Sequence, residues 1–463
     1  MYGPRRVVVT GIGLVTCLGT GTDLVWKNVI QGKCGIVALT GEEFSKVPSR
    51  VAGLVKHGYD PGGFNLSKIN LKIDLKSAST SSLYALVAAN EAIQQAKLDL
   101  SDEYTQRRTG VAIGMSMIGL DEIVATSERF KIGYNKVSPH FVPKILTNMP
   151  AGLISIQYKI KGLNHSVATA CTTGLHSLGD AFRFIRNGDV DAIVCGSTES
   201  CVGPLALAGF CRMRALSTNF NSDPLTASRP FDDLRDGFVM SEGACIMVME
   251  SLGSARRRGI KPICEVLGYG LSSDANHITA PCPHGEGAEM CMLAALRDAN
   301  IQPGAIGYVN AHATSTSLGD AAEAEAIYRI FAGADSKAHN AICNNVIDTI
   351  PYENYSDIKY QQQMTAIKGP AVSSTKGALG HMLGAAGSTE VALAALACNK
   401  GVIPPSINLY STSSIDVALD FVRNKCRDWS RSGEIRSKRR VALSNSFGFG
   451  GTNASLCVAE FLE

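Results

Sequence analysis

No apolar run in the 463-residue sequence approaches the length of a bilayer span, so no membrane-crossing helix is expected. The formal net charge is only +3, too small to point to a nucleic-acid partner. The basic clusters Arg256–Arg258 and Lys438–Arg440 read as solvated surface. None of the 14 cysteines forms a C-x-x-C pair, and no Cys/His spacing suits zinc. No metal site is therefore expected, and the scattered thiols suggest a reducing compartment. No signal or transit peptide precedes Val7-Val8-Val9, so the chain is read as cytosolic or already processed. Charged residues are sparse at 18%, against 45% hydrophobic residues and 46 glycines. That balance excludes a coiled coil or a disordered chain and indicates a compact α/β enzyme.

What is present is an alternation of strands and helices. Apolar runs predict strands over 6–18, 109–119, 191–198, 245–249, 263–270, 306–310, 370–374, 441–445 and 454–460. Helical spacing predicts helices over 23–31, 77–97, 143–160 (with Pro150 interrupting or starting one), 286–300, 319–331 and 386–398. Such alternation implies mostly parallel sheets covered by helices. The chain turns basic over 251–262 and reaches Pro262, which divides it into 1–262 and 263–463. Residues 332–368 are polar and aperiodic, and are expected to form an insertion that loops outward. Gly11-Ile-Gly13 lacks the third glycine of a dinucleotide fingerprint and is weak evidence for nucleotide.

The most informative stretch is His165-Ser-Val-Ala-Thr-Ala-Cys171-Thr-Thr-Gly-Leu-His176. A buried strand is expected over 166–170 and an amphipathic helix after Cys171, ending at Gly188. A thiol at a helix N-terminus should lose its proton more readily, and Thr172, Thr173 and Gly174 are small enough to admit another molecule. By itself the pattern also fits a buried structural cysteine.

Three later clusters set reactive side chains among small residues. They are Asn310-Ala-His312-Ala-Thr314-Ser-Thr316 with Asp320, Lys376-Gly-Ala-Leu-Gly380-His381 with Glu390, and Ser444-Asn-Ser-Phe-Gly-Phe449-Gly-Gly-Thr-Asn453. His312 and Lys376–His381 each follow a strand, the place where α/β sheets hold ligands. His57, His140, His284 and His339 have no such setting and read as structural. One thiol and two imidazoles without a metal motif suit thioester chemistry. The thiolate takes an acyl group, and two Nε2–H groups stabilise an enolate. Backbone N–H groups near Cys171 and over Gly448–Gly451 are candidates for an oxyanion hole.

In this order the four motifs resemble the elongating β-ketoacyl-[acyl-carrier-protein] synthases, over nearly the whole chain from Val7 to Ala459. Tyr134–Lys144 and Phe238-Val-Met-Ser-Glu-Gly look most like the stand-alone mitochondrial and bacterial-type enzymes of fatty acid synthesis. The resemblance implies a thiolase-like α/β/α/β/α fold of two similar halves, a homodimer, and a reaction without a bound cofactor. Substrates would arrive on the phosphopantetheine of an acidic acyl-carrier protein, met by Lys68, Lys72, Lys76, Arg129, Lys131, Arg212 and Arg214 as candidates. It implies that Cys171 carries the acyl chain and that His312 and His381 assist malonyl decarboxylation. Lys376 and Glu390 would form a supporting pair, and Phe449 a gate. Thr279, Thr314 and Thr316 would contact the pantetheine arm, and Met117 would border the acyl pocket. Ala313, Ser317, Ser241 and Cys17 depart from the family pattern of Gly, Pro, Gly and Pro. The implied compartment is the mitochondrial matrix, with the cytoplasm as the alternative. Alternatives within the fold are a polyketide-type ketosynthase and a non-catalytic chain-length-factor-like partner. A thiolase would need a second cysteine where the Phe449 loop stands.

Overall fold

The computed structural model describes residues 4–331, 369–429 and 439–463. The insertion 332–368, with His339, lies outside the described residues, as do Lys438 and the side chain of Lys68. The first half contributes β1 (Val7–Thr16), β2 (Thr109–Gly114), β3 (Asn164–His165), β4 (Ala192–Glu199) and β5 (Gly243–Ser251). The second contributes β6 (Cys264–Ser273), β7 (Tyr308–Asn310), β8 (Ala371–Ser373), β9 (Asp420–Phe421), β10 (Val441–Gly448) and β11 (Thr452–Glu460). The principal helices are α1 (Thr22–Ile30), α2 (Thr80–Gln95), α3 (Leu120–Ile132), α4 (Met149–Tyr158), α5 (Thr173–Asn187), α6 (Pro204–Arg212), α7 (Glu286–Asp298), α8 (Ser317–Phe331) and α9 (Ala386–Lys400).

The strand order is β9-β8-β7-β10-β11-β6-β1-β5-β4-β2-β3, and β1 also pairs with the short strand Gly19–Thr20. In the first half β2 runs parallel to β3 and β4, while β4, β5 and β1 are successively antiparallel. The second half repeats the scheme. There β7 is parallel to β8 and β10, and β10, β11 and β6 are antiparallel. The halves meet where Val7–Val9 pair with Cys264–Val266. The duplication that no residue-level repeat reveals is thus plain in the topology. The expectation of mostly parallel sheets is corrected: each half is mixed, and its long strands are antiparallel. Between β10 and β11 only Phe449–Gly451 intervene, too few for the crossover that parallel pairing requires.

Helices α5 and α9 pack together between the two sheets, within the largest apolar core. From Ala386 to Cys398 every residue of α9 is buried, as expected for a helix enclosed on all sides. Helices α2 and α4 cover the outer face of the first half, and α7 and α8 that of the second. The result is five layers, α/β/α/β/α.

Gly11 and Gly13 have a packing role. A Cβ at either would lie 2.0 Å from the Ala92 carbonyl oxygen or 1.9 Å from that of Ala88, so they let α2 lie against β1. The helix expected over 143–160 divides into a turn, Phe141–Ile145, and α4, whose first turn holds Pro150, where a missing N–H costs little. Helices α3 and α6 lie outside the expected set. Within this chain α3 buries only Thr126 and leaves Ile123, Val124, Phe130 and Ile132 exposed. Among the described residues no helix is long and apolar enough to cross a membrane.

Candidate active site

Cys171 sits in a single turn, Ala170–Thr172, that leads directly into α5. The strand expected over 166–170 is confined to Asn164–His165, and 166–169 is irregular and partly exposed. The chain bends sharply before the thiol. Ala170 has φ +51°, a left-handed conformation that is strained for a residue with a Cβ. The Cys171 carbonyl accepts from Ser446 Oγ at 2.9 Å, tying the bend to β10. Gly174 admits the chain itself rather than a ligand. A Cβ there would lie 2.5 Å from Ser197 Oγ and 2.6 Å from Ser388 N, so only glycine lets α5 meet the start of α9.

The expectation of an acidic thiol is corrected. Burial pushes Cys171 up to about 12, against the pull of the Lys376 ammonium. Removal from water outweighs the helix terminus. The sulfur also has a neighbour that the sequence did not pair with it: His381 Nε2 lies 3.0 Å from Cys171 Sγ.

Each histidine is fixed by its backbone. His312 follows β7, and its N–H and that of Ala313 donate to the two oxygens of Glu323 on α8, at 2.9 and 2.7 Å. His381 N donates to the Val239 carbonyl at 2.7 Å, and its carbonyl accepts from Ser241 N at 2.9 Å. The two rings meet edge to face, centroids 5.2 Å apart. Burial and the nearby Lys376 charge hold both imidazoles well below their ordinary value, so both are neutral at pH 7. Behind them Lys376 is ion-paired with Glu390, both almost fully buried, and also reaches His312 Nδ1 at 3.3 Å. Burial raises Glu390 to about 7 despite that partner.

A cavity of about 440 Å³ opens over this group. Cys171, His312, His381, Thr279, Thr314, Thr316 and Phe449 all line it. Lys376 and Glu390 lie behind the histidines rather than on its wall. Met117 does not reach the cavity. It packs in an apolar cluster with Cys171, Leu207, Phe210, Phe238 and Leu383. Of the basic candidates Arg214 lines the cavity, Arg212 is exposed beside it, and Lys131 pairs with Glu128 at 2.7 Å. Among the histidines read as structural, His57 contacts the Tyr84 hydroxyl and His284 the Glu325 carboxylate. Ala313 lies on the cavity wall, whereas Cys17 Sγ donates to the Leu379 carbonyl and Ser241 Oγ to that of Gly53, beneath the His381 turn.

Three buried acids surround the site: Asp320, which belongs to the His312 cluster of the sequence, and Glu323 and Glu199, which the sequence motifs did not include. Glu323 is raised to about 7 by burial, against the Asn445 amide that donates to it at 3.0 Å. Asp320 accepts from Thr314 N and Thr316 N at 2.9 and 3.2 Å, and so shapes the turn beside the cavity. Glu199, at the end of β4, accepts from Ser116 and from Gly384 N, and burial raises it to about 7. Helical spacing from Asp320 could have flagged Glu323, one turn further along α8. Nothing local marks Glu199.

A half-buried thiol beside two neutral imidazoles, within a duplicated five-layer α/β fold, defines an acyl-transferring condensing enzyme. Comparison with known proteins is more specific. The beta-ketoacyl synthase N-terminal domain matches residues 4–255, and its C-terminal domain matches 263–344 and 351–410. The chain belongs to the beta-ketoacyl synthase family. It is 42% identical to the mitochondrial 3-oxoacyl-[acyl-carrier-protein] synthase of Arabidopsis thaliana, covering 99% of this chain and 94% of that protein. It is 40% identical to 3-oxoacyl-[acyl-carrier-protein] synthase 2 of Rhizobium meliloti, over 99% of each. A solved complex of a type II polyketide synthase acyl-carrier protein with its ketosynthase, bound to a hexaketide, superposes with a TM-score of 0.79. That match has 26% identity and covers 99% of this chain and 100% of that one.

Proposed function

We propose that the chain extends acyl chains on acyl-carrier protein by two carbons, through decarboxylative condensation with malonyl-carrier protein. The observation that carries this reading is the 3.0 Å contact between Cys171 Sγ and His381 Nε2, with His312 on the same cavity wall. The sulfur attacks the acyl thioester as a thiolate held by the Nε2–H of His381, and the carrier thiol leaves with the proton that Cys171 gave up. Malonyl thioester then loses carbon dioxide. Its enolate oxygen accepts from the Nε2–H groups of His312 and His381. The carbanion attacks the acyl-cysteine carbonyl and expels the Cys171 sulfur, giving a 3-oxoacyl chain.

In this reading Lys376 and Glu390 fix His312, Phe449 guards the thiol, and Thr279, Thr314 and Thr316 hold the pantetheine arm. The two halves are 1–262 and 263–463. No dissociable cofactor takes part, since the carrier's phosphopantetheine brings both substrates. The partner is an acidic acyl-carrier protein docking beside Arg212 and Arg214, and the working unit is a homodimer. A mitochondrial relative at 42% identity supports a place in the mitochondrial matrix, and a bacterial one at 40% is the counterweight.

Intact mass after incubation with an acyl-carrier thioester tests the reading. Wild type should gain the acyl mass and release a 3-oxoacyl product on addition of malonyl-carrier protein, and Cys171→Ala should gain nothing. Absence of an adduct on the wild type would overturn it.

A further inference from the structure

The strained bend before the thiol has a support of its own. Thr169 is held at every polar atom. Its N–H donates to Thr173 Oγ1 at 2.8 Å. Its carbonyl accepts from Thr172 Oγ1 at 2.5 Å and from Thr452 Oγ1 at 3.4 Å. Its hydroxyl lies 2.7 Å from Nδ1 of His176 on α5, the one contact of this set made by a ring. That ring is itself braced, edge to face, by Tyr269 at a centroid distance of 6.4 Å. Tyr269 in turn lies under the Arg183 guanidinium at 4.7 Å and fills the space left by Gly179, where a Cβ would overlap its ring at 2.2 Å. Burial keeps His176 below its ordinary value, opposed by Asp180, so its neutral Nδ1 can accept from the Thr169 hydroxyl.

We propose that His176 is a positioning residue for the nucleophile: through Thr169 it holds Ala170 in the left-handed conformation that aims Cys171 Sγ at His381. The inference rests on Cys171 being the acyl acceptor. The other contacts to Thr169 come from the bend itself, from the first residue of α5 or from β11, whereas His176 fixes its hydroxyl to α5 one turn further in. A residue at φ +51° relaxes when its surroundings loosen, and relaxation rotates the following residue, here Cys171, away from its partner. His176 touches neither His312 nor the cavity wall in this structure, so its loss should spare malonyl decarboxylation.

The test uses single-turnover acylation of the full chain by hexanoyl-pantetheine, read by intact mass, beside carbon dioxide release from malonyl-pantetheine. His176→Ala and Thr169→Val should each slow acylation by about 10-fold or more, as small misplacements of a reacting atom do, and leave decarboxylation within about twofold of wild type. His176→Asn places an accepting Oδ1 where Nδ1 was and should restore acylation. If His176→Ala does not fold, Thr169→Val reads the same contact from its other side. Wild-type acylation in both variants overturns the proposal. So does a parallel fall of both half-reactions that Asn does not rescue, because the ring would then serve packing alone. A wild type that takes no adduct would instead overturn the nucleophile assignment.

Discussion

Lys376 Nζ reaches His312 Nδ1 at 3.3 Å, and this contact sets the tautomer of the ring. An ammonium can only donate, so Nδ1 accepts and the proton of neutral His312 stands on Nε2. His381 differs, since its Nε2 is the atom that meets the Cys171 sulfur. The two imidazoles should therefore separate the half-reactions. His312→Ala is expected to lower malonyl decarboxylation by about 10²-fold or more while Cys171 still acylates, whereas His381→Ala slows both steps. Rapid-quench acylation and carbon dioxide release, measured on both variants, check this. Equal loss of acylation in the two would contradict it.

The buried Lys376–Glu390 pair has different consequences for stability and for activity. Removing one partner leaves a lone buried charge, which costs roughly 3–5 kcal/mol. Lys376→Met should thus lower the unfolding midpoint strongly and abolish decarboxylation. The double variant Lys376→Met/Glu390→Leu replaces two buried ions by apolar groups and should regain much of the stability while staying inactive. Denaturant melts and carbon dioxide release distinguish this from a pair that matters only to the fold.

The pH dependence of the two half-reactions should also differ. His312 and His381 are held well below their ordinary value, so neither titrates between about pH 6.5 and 8, and a change in decarboxylation across that range should instead follow Glu390 and Glu323, which burial raises to about 7. Burial raises Cys171 to about 12, so the thiolate fraction grows throughout that range. Acylation and iodoacetamide alkylation should rise steadily with pH and reach no plateau near neutrality. A plateau near pH 7 would show a thiol more acidic than its burial dictates.

Glu199 offers a stability test with a definite sign. Burial raises it from the ordinary carboxylate value of 4.5 to about 7. A carboxyl whose folded-state value lies above its unfolded value stabilises the fold below about pH 4.5, and that contribution is lost as pH rises toward about 7. Relative to Glu199→Gln, which stays neutral, the wild type should lose stability across that window. Melts of both proteins at several pH values measure the difference. A gap that does not move with pH would place the ionisation elsewhere.

The sequence by itself determined the order of the elements and the chemistry available to them. Apart from the strand expected over 166–170, strand and helix periods survive in the structure to within a few residues. His312 was legible because it follows a strand among small neighbours, and Cys171 and His381 because small residues surround them in turns. Local pattern could not show that β1 and β6 join two mixed sheets, since strand direction depends on where the chain returns. Nor could it show that Lys376 selects a tautomer or that Glu199 braces the turn after His381. Those facts arise from residues far apart in the chain meeting in a dry interior. There, removal from water and the nearest charge outweigh what a helix end or a motif dictates alone. The acidity of Cys171 is the clearest case: its place at the start of α5 was written in the sequence, and the enclosure that keeps its proton on was decided by the apolar cluster of Leu207, Phe210, Phe238 and Leu383 that the fold gathers around it.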